Sequence, residues 1–359
     1  MASPCWSDLP EDLLRLIFIQ PTIRSIDVLS CRDVCLSWRH VVKRLCGERF
    51  AELLPPMLFF PIKTGTNSFN VYTSTATGFY RLCLPMTQGG FFTMYSSRGW
   101  LLSSTNNKVA HRFYLYNPLS QKLICLQFPK PQEDFKLPCR FILSTTPVDP
   151  SCIIILFDNS KSRFAYYRSG HGNGGLCRFK HKIAFEDLIY YRGKFLAVQG
   201  SGALGCFVFD TNPCVKKISR SANSSVKNIA TSRYLVESVS GDLLMVTRHV
   251  KCGKNISTGD IGYYKTTMFE VYSFDWVEKD WREVKELGNQ ALFLAHNDSR
   301  SVSAIDQAVC KRNCIYFVDD ALEGHCMSKG TDFGVFDMEI GTVQQFYSVP
   351  FNRWFRPDA

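Results

Sequence analysis

The sequence predicts two architectures in one chain: an all-α three-helix unit up to about residue 52, then an all-β domain built as a propeller of about six or seven blades. Three observations predict this. Apolar residues before residue 52 recur with helical period. From Pro55 onward the texture changes to short apolar runs separated by Gly, Asn, Pro and Ser. A strand–turn–strand–turn–strand unit then repeats through that second part.

The helical part comes first. Pro10 sits where a first helical turn tolerates it, with Glu11 and Asp12 at the positive end of the dipole. Leu13, Leu14, Ile17 and Phe18 fall on one stripe, and Pro21 ends the helix. A short segment over residues 25–30 follows. Residues 32–46 read as a longer helix with Val34, Trp38, Val41, Val42 and Leu45 on one face. Cys31 and Cys35, one turn apart, read as small core residues of that helix rather than metal ligands.

Strands are expected over residues 59–60, 91–95, 100–103, 113–116, 123–126, 153–157 and 164–167. The repeat is visible in the letters. Gly99-Trp-Leu-Leu leads to Phe113-Tyr-Leu-Tyr-Asn117, and Gly193-Lys-Phe-Leu-Ala-Val leads to Phe207-Val-Phe-Asp210. Gly241-Asp-Leu-Leu-Met-Val leads to Phe269-Glu-Val-Tyr-Ser-Phe-Asp275, and Asn313-Cys-Ile-Tyr-Phe leads to Phe333-Gly-Val-Phe-Asp337. The second strands end at Asn117, Tyr167, Asp210, Asp275 and Asp337, spaced 50, 43, 65 and 62 residues apart. Propeller blades repeat at ~40–50 residues, with insertions in loops. Four-stranded sheets set radially keep their edges short.

Composition narrows the function. Of 359 residues, 45% are hydrophobic and 14% aromatic, which suits a folded, sheet-rich chain. The first ten residues have neither a basic stretch nor an apolar one, so no secretory signal is expected. The run at residues 152–157 is far too short to span a bilayer, and no membrane partner is expected. Fifteen cysteines without a framework read as reduced thiols of a cytoplasmic or nuclear protein. The formal net charge is +10, yet residues 1–52 balance seven acids against seven bases. A three-helix reader of DNA would show a basic excess there, so nucleic acid is not expected as a partner. The excess lies later. No acid occurs between Thr211 and Val236, while Lys216, Lys217, Arg220 and Lys227 do, in what reads as a long connection between repeat units. These four are candidates for an acidic partner's patch, set against a solvated surface that serves solubility.

Enzyme motifs do not survive inspection. Gly200-Ser-Gly202-Ala-Leu-Gly205 fits a dinucleotide fingerprint by letter, but a strand follows where a helix is needed, so it reads as a hairpin turn. Cys310 and Cys314 with His325 and Cys326 lack zinc-site spacing. Asp319 and Asp320, adjacent in an extended segment, point to opposite faces and read as turn caps. The Gly172-Asn-Gly-Gly175 run lacks a P-loop lysine and reads as a flexible connection. No catalytic residue, metal or cofactor is assigned.

Trp6-Ser-Asp-Leu9-Pro10-Glu-Asp-Leu13-Leu14, followed by Asp27-Val-Leu29-Ser-Cys-Arg-Asp-Val34-Cys35-Leu-Ser-Trp38-Arg39, closely resembles an F-box. The remainder resembles plant F-box proteins with a KIB-type, kelch-like C-terminal domain. Tyr191-Arg-Gly193-Lys-Phe-Leu, Trp281-Arg-Glu-Val, Cys314-Ile-Tyr-Phe-Val-Asp319-Asp320 and Trp354-Phe-x-Pro357 carry that likeness. Ile19-Gln-Pro-Thr-Ile23 departs from the family's usual Leu-Pro before the second helix.

The resemblance implies an F-box at 4–50, a short linker at 51–56 and a propeller-like substrate-binding domain at 57–359. It also implies a non-catalytic receptor of an SCF-type ubiquitin ligase, docked to a Skp-type adaptor and through it to cullin and RING subunits. By position, Leu9, Pro10, Leu13, Leu14 and Ile17 are the implied adaptor contacts, with Leu29, Val34, Cys35 and Trp38 shared between contact and local core. Two alternatives stay open: a binding protein that blocks its target, for example a kinase, and a propeller enzyme such as a glycosidase.

Overall fold

In the computed structural model, the residues described are 5–20, 28, 31, 34–48, 57–61, 68–73, 79–83, 90–105, 113–117, 122–126, 140–158, 163–168, 174–178, 185–209, 214–219, 230–254, 261–295, 299–304, 310–317 and 332–345. Helices α1 (Glu11–Phe18) and α2 (Leu36–Glu48) lie at the N-terminal end. Everything described after them is strand or turn. No described helix is long and apolar enough to cross a membrane.

The strands form six sheets among the described residues. The first holds β1 (Met57–Pro61), β2 (Ser68–Thr73) and β3 (Phe79–Cys83). The second is β4 (Gly90–Ser97), β5 (Trp100–Thr105), β6 (Phe113–Tyr116) and β7 (Leu123–Leu126). The third is β8 (Arg140–Leu143), β9 (Ile153–Asp158), β10 (Arg163–Arg168) and β11 (Gly174–Arg178). The fourth is β12 (Phe185–Tyr191), β13 (Lys194–Gln199), β14 (Leu204–Val208) and β15 (Cys214–Lys217). The fifth is β16 (Ala230–Glu237), β17 (Leu243–Lys254), β18 (Ile261–Asp275) and β19 (Asp280–Val284). All of these are antiparallel meanders in chain order. The sixth departs. It holds β20 (Gln290–Leu294), β21 (Arg300–Ser303), β22 (Cys314–Phe317), β23 (Gly334–Asp337) and β24 (Thr342–Gln345) in the order β21-β20-β22-β23-β24, with β20 and β22 parallel.

The packing explains why strands such as β9 are apolar on both faces. Successive side chains point to opposite faces of a strand. Ile154 and Leu156 of β9 join a core with Trp100, Leu102 and Leu115 of the second sheet. Ile155 and Phe157 join another with Phe185, Phe195 and Phe207 of the fourth. On β17, Leu243 and Met245 pack with Tyr191 and Leu196, while Leu244 and Val246 pack with Leu292, Ile315 and Phe317. Sheets two to six therefore stack face to face in chain order, and sheets three to five are covered on both faces. Fully burying one such side chain contributes ~1.5–3 kcal/mol.

Polar ties hold the same end of neighbouring sheets together. Arg98-Gly99 and Arg192-Gly193 are two-residue turns between the first and second strands of the second and fourth sheets, with φ of 49° and 76°, and 45° and 80°. Positive φ at both positions is the geometry of a type I′ turn, which follows the twist of the hairpin. Arg98 Nε donates to Leu143 O at 3.1 Å, and Arg192 Nη2 to Gly241 O at 2.8 Å, each reaching the next sheet. Tyr191 OH donates to Gly241 O as well, at 2.7 Å. The recurring aspartates Asp275 and Asp337 cap the turns that lead into the last strand of their sheets. Asp275 Oδ1 accepts from the N–H of Val277 and Glu278, and Asp337 Oδ1 from Glu339.

Four expectations are corrected. The second long helix begins at Leu36, so Val34, Cys35 and Cys31 lie outside it; the Val34 N–H donates to Cys31 O in a turn, and Val34 is 59% exposed. Gly174 and Gly175 are not a flexible connection but part of β11, paired with Tyr167 and Tyr166. The stretch 211–236 is not one long loop: it supplies β15 and all of β16 but Glu237. The sixth sheet contains the unanticipated β20, set between the edge strand β21 and β22 of the repeat unit.

Candidate docking surfaces

The helical part is built around a small core. Leu14 and Phe18 of α1 are buried with Val28, Val41, Val42 and Leu45, and Leu9, Ile17, Cys31 and Trp38 pack at its margin. Pro10 caps α1, its carbonyl accepting from Leu13 and Leu14 N–H at 3.1 Å each. Residues step ~100° around a helix. On that wheel Leu16, Leu13, Ile17, Leu14 and Phe18 form one wide arc. The Leu14–Phe18 side is consumed by the core, Ile17 is half-buried, and Leu13 and Leu16 stay 47% and 55% exposed. Trp6, Ile19, Val34 and Leu36 are exposed too. Among the described residues, half of the exposed large apolar side chains thus belong to this short segment.

The positions expected to meet an adaptor therefore divide. Leu13 is free and Pro10 exposed; Leu9, Ile17 and Cys35 are half-buried; Leu14 lies in the unit's own core with no surface left. Val34 is free, but from a turn. Trp38 is a brace: its Nε1 donates to Trp6 O at 3.1 Å, and its ring meets Phe18 edge-on at 5.4 Å. Leu29 lies outside the described residues. Leu16, Ile19 and Trp6 were missed as surface residues; for Leu16 the signal was the width of the apolar arc, too broad for one buried stripe.

On the propeller-like part, Lys216 and Lys217 are exposed on β15, the outer strand of the fourth sheet, opposite Cys206 and Gly205. Arg220 and Lys227 lie outside the described residues, as do Asp319, Asp320, His325 and Cys326. A Cβ on Gly205 would come within 2.6 Å of Val215 Cγ1, so β15 seats closely only against glycine. The Gly200–Gly205 letters form the expected hairpin: Gln199 N–H donates to Ala203 O and Gly202 N–H to Gln199 O. Cys314 is buried in β22 and Cys310 is half-buried, and burial pushes both thiols up from their ordinary range. Among the described residues no His/Cys/Asp/Glu group is arranged to hold a metal.

Sequence reading also missed a charged network on the first strands of sheets three to five. A β-bulge at Glu186 in β12 interrupts the register between Phe185 and Asp187. Glu186 pairs with Arg233 of β16 at 3.3 Å, and Asp187 with Arg140 of β8 at 3.2 Å. Asp187 also accepts from the N–H groups of Leu188 and Leu235. Burial raises the Glu186 carboxyl, with Arg233 opposing the shift. These carboxylates serve as acceptors that tie three strands from different sheets.

Helices followed by face-to-face, mostly four-stranded sheets define a class: a small helical unit followed by a β-propeller. Residues 68–337 match the KIB1-4 beta-propeller model, and the chain belongs to that family. It is similar over nearly its whole length to Arabidopsis thaliana F-box proteins. F-box protein SKIP23 is 23% identical over 393 residues, covering 96% of this chain and 92% of that one. F-box protein At2g26160 is 24% identical over 347 residues, covering 89% and 97%. The resemblance to plant F-box proteins with a KIB-type propeller is thereby borne out. Among solved structures, virginiamycin B lyase from Staphylococcus aureus overlaps 73% of this chain and 86% of that one, at 12% identity and a TM-score of 0.32, too low to carry an argument.

Proposed function

We propose that the chain is the substrate-receptor subunit of an SCF-type ubiquitin ligase, itself without catalytic groups. In this reading residues 4–50 are an F-box that docks a Skp-type adaptor, 51–56 are a linker and 57–359 are the propeller, with each of the six sheets one blade. The propeller holds the target protein, and the adaptor brings cullin and RING subunits to it; the chain contributes proximity and orientation. The place of action is the cytoplasm or nucleus. The observation that carries the reading is the divided apolar arc of α1: Leu14 and Phe18 close the local core while Leu13 and Leu16 face outward. A small helical unit that leaves such a face open has the surface a partner helix needs.

The test is adaptor pull-down with Leu13→Asp plus Leu16→Asp. Both side chains are exposed, so the unit keeps its core. Two central contacts at ~2 kcal/mol each would lower affinity by a factor of several hundred or more. Undiminished adaptor binding by this double variant refutes the docking face.

A further inference from the structure

β17 and β18 are the longest described strands, and among the described residues they run past the end of β16. β16 pairs with β17 only as far as Val250. Beyond it, residues 251–254 and 261–265 pair only with each other among the described residues, as a two-stranded ribbon. Its root is firm. Val250 and Thr266 are opposite each other and buried, and Thr266 donates through N and Oγ1 to the Asp332 carboxylate at 2.8 and 2.6 Å. A bulge at Thr267, whose Oγ1 donates to His249 O, bends the strand where the ribbon leaves.

The first pair above that root is Lys251 opposite Lys265, both exposed. Directly opposed side chains have Cβ atoms ~4.5–5.5 Å apart, and like charges there destabilise a sheet. Among the described residues neither ammonium has a carboxylate within ion-pair reach. By strand alternation Lys251 shares its face with Leu243, Met245, Thr247 and His249, the face turned toward the fourth sheet, whose outer strand exposes Lys216 and Lys217. A repulsive pair just beyond an anchored root is what an anionic partner would relieve.

We propose that the β17–β18 ribbon is a docking surface for an acidic segment of the target protein, a run of Asp or Glu whose carboxylates seat between Lys251 and Lys265. The proposal rests on the reading of the chain as a target receptor and names the chemistry of the target. Charge complementarity sets the occupant. Two ammoniums suit a pair of carboxylates, whereas duplex binding neutralises ~6–10 phosphates. The anchored root means little ordering is needed on binding.

The probe is a fluorescein-labelled oligo-glutamate peptide, titrated by anisotropy into the full chain at low and moderate salt. Lys251→Ser with Lys265→Ser should weaken binding about 5-fold and flatten its salt dependence, taking ~0.5 kcal/mol per exposed pair. Lys251→Glu should abolish the peptide's gain from this site and raise the melting temperature, because it converts the facing pair into an attractive one. Unchanged peptide affinity in the double variant overturns the proposal, as does a lower melting temperature for Lys251→Glu. Tighter binding of a single-stranded oligonucleotide or of phosphatidylserine vesicles than of the peptide overturns the choice of a protein segment. Adaptor pull-down on the same samples separates the two readings. An unmutated chain that holds the adaptor but fails to bind the peptide defeats this site alone, and one that binds the peptide through the two lysines but no adaptor defeats the receptor reading while supporting the surface.

Discussion

Arg248 is completely buried, and the chain's stability should depend on the Asp332 carboxylate beside it. Asp332 accepts from Arg248 Nη2 at 2.9 Å, Thr266 N at 2.8 Å, Thr266 Oγ1 at 2.6 Å and Gln345 Nε2 at 3.1 Å. The guanidinium is also bonded to Thr266 Oγ1 and Tyr234 OH, and it lies over the Phe317 ring. Asp332→Ala would remove a counter-charge from a buried cation, and breaking a buried pair in this way costs ~3–5 kcal/mol. At ~2–4 °C per kcal/mol for domains of a few hundred residues, the midpoint of a circular-dichroism melt should fall by on the order of 10 °C. Replacing the pair together, Asp332→Leu with Arg248→Met, should recover most of that loss, since well-packed apolar residues often substitute for a buried ion pair without penalty. A fall of less than ~2 °C for Asp332→Ala, on that same scale, would refute the claim that this pair pins the fifth sheet to the sixth.

Gly205→Val should push β15 off β14, because its Cβ meets Val215 Cγ1. A loss of ~1–3 kcal/mol is expected, along with faster tryptic cleavage after Lys216 and Lys217; unchanged cleavage would contradict the close seating. Tyr272 gives a pH dependence. Burial, with Glu270 adding to it, pushes its hydroxyl up to about 12. The unfolded value is ~10, so this contribution is present below that pH and is lost as pH rises through about 12. Tyr272→Phe should flatten the alkaline fall in urea-denaturation stability, and an identical slope in both proteins would show the hydroxyl is not responsible.

The repeat was legible because its strands are short, nearly continuous apolar runs and end in a residue that caps a turn. Asp275 and Asp337 are spaced by that need, and their amide partners explain it. What sequence could not show came from pairing rather than local pattern. Cys214-Val-Lys-Lys217 has no apolar alternation because it is an outer strand, covered on few sides and open to charge. β20 looked like any other apolar run, and nothing local marks a strand that pairs in parallel with a distant one. In the helical part Val34 fitted the helical period by coincidence, while Cys35 is left outside by a turn closed on Cys31. Leu14 and Leu13 are adjacent letters with opposite fates, since one helical step separates core from surface. The Glu186–Asp187 network was hidden because only the bulge puts those side chains among arginines from two other sheets.

Arg98 and Arg192 occupy positions where a designer would write asparagine, which accepts positive φ more readily. Holding arginine there strains the backbone locally, yet each guanidinium reaches a carbonyl that a shorter side chain cannot. A substitution toward the statistically favoured turn would therefore improve the hairpin and loosen its junction with the next sheet. Stability engineering guided by turn preference alone would act in the wrong direction at these two sites. The same logic applies to chain evolution: a hairpin tip that fastens its neighbour is no longer free to drift as an ordinary surface turn does.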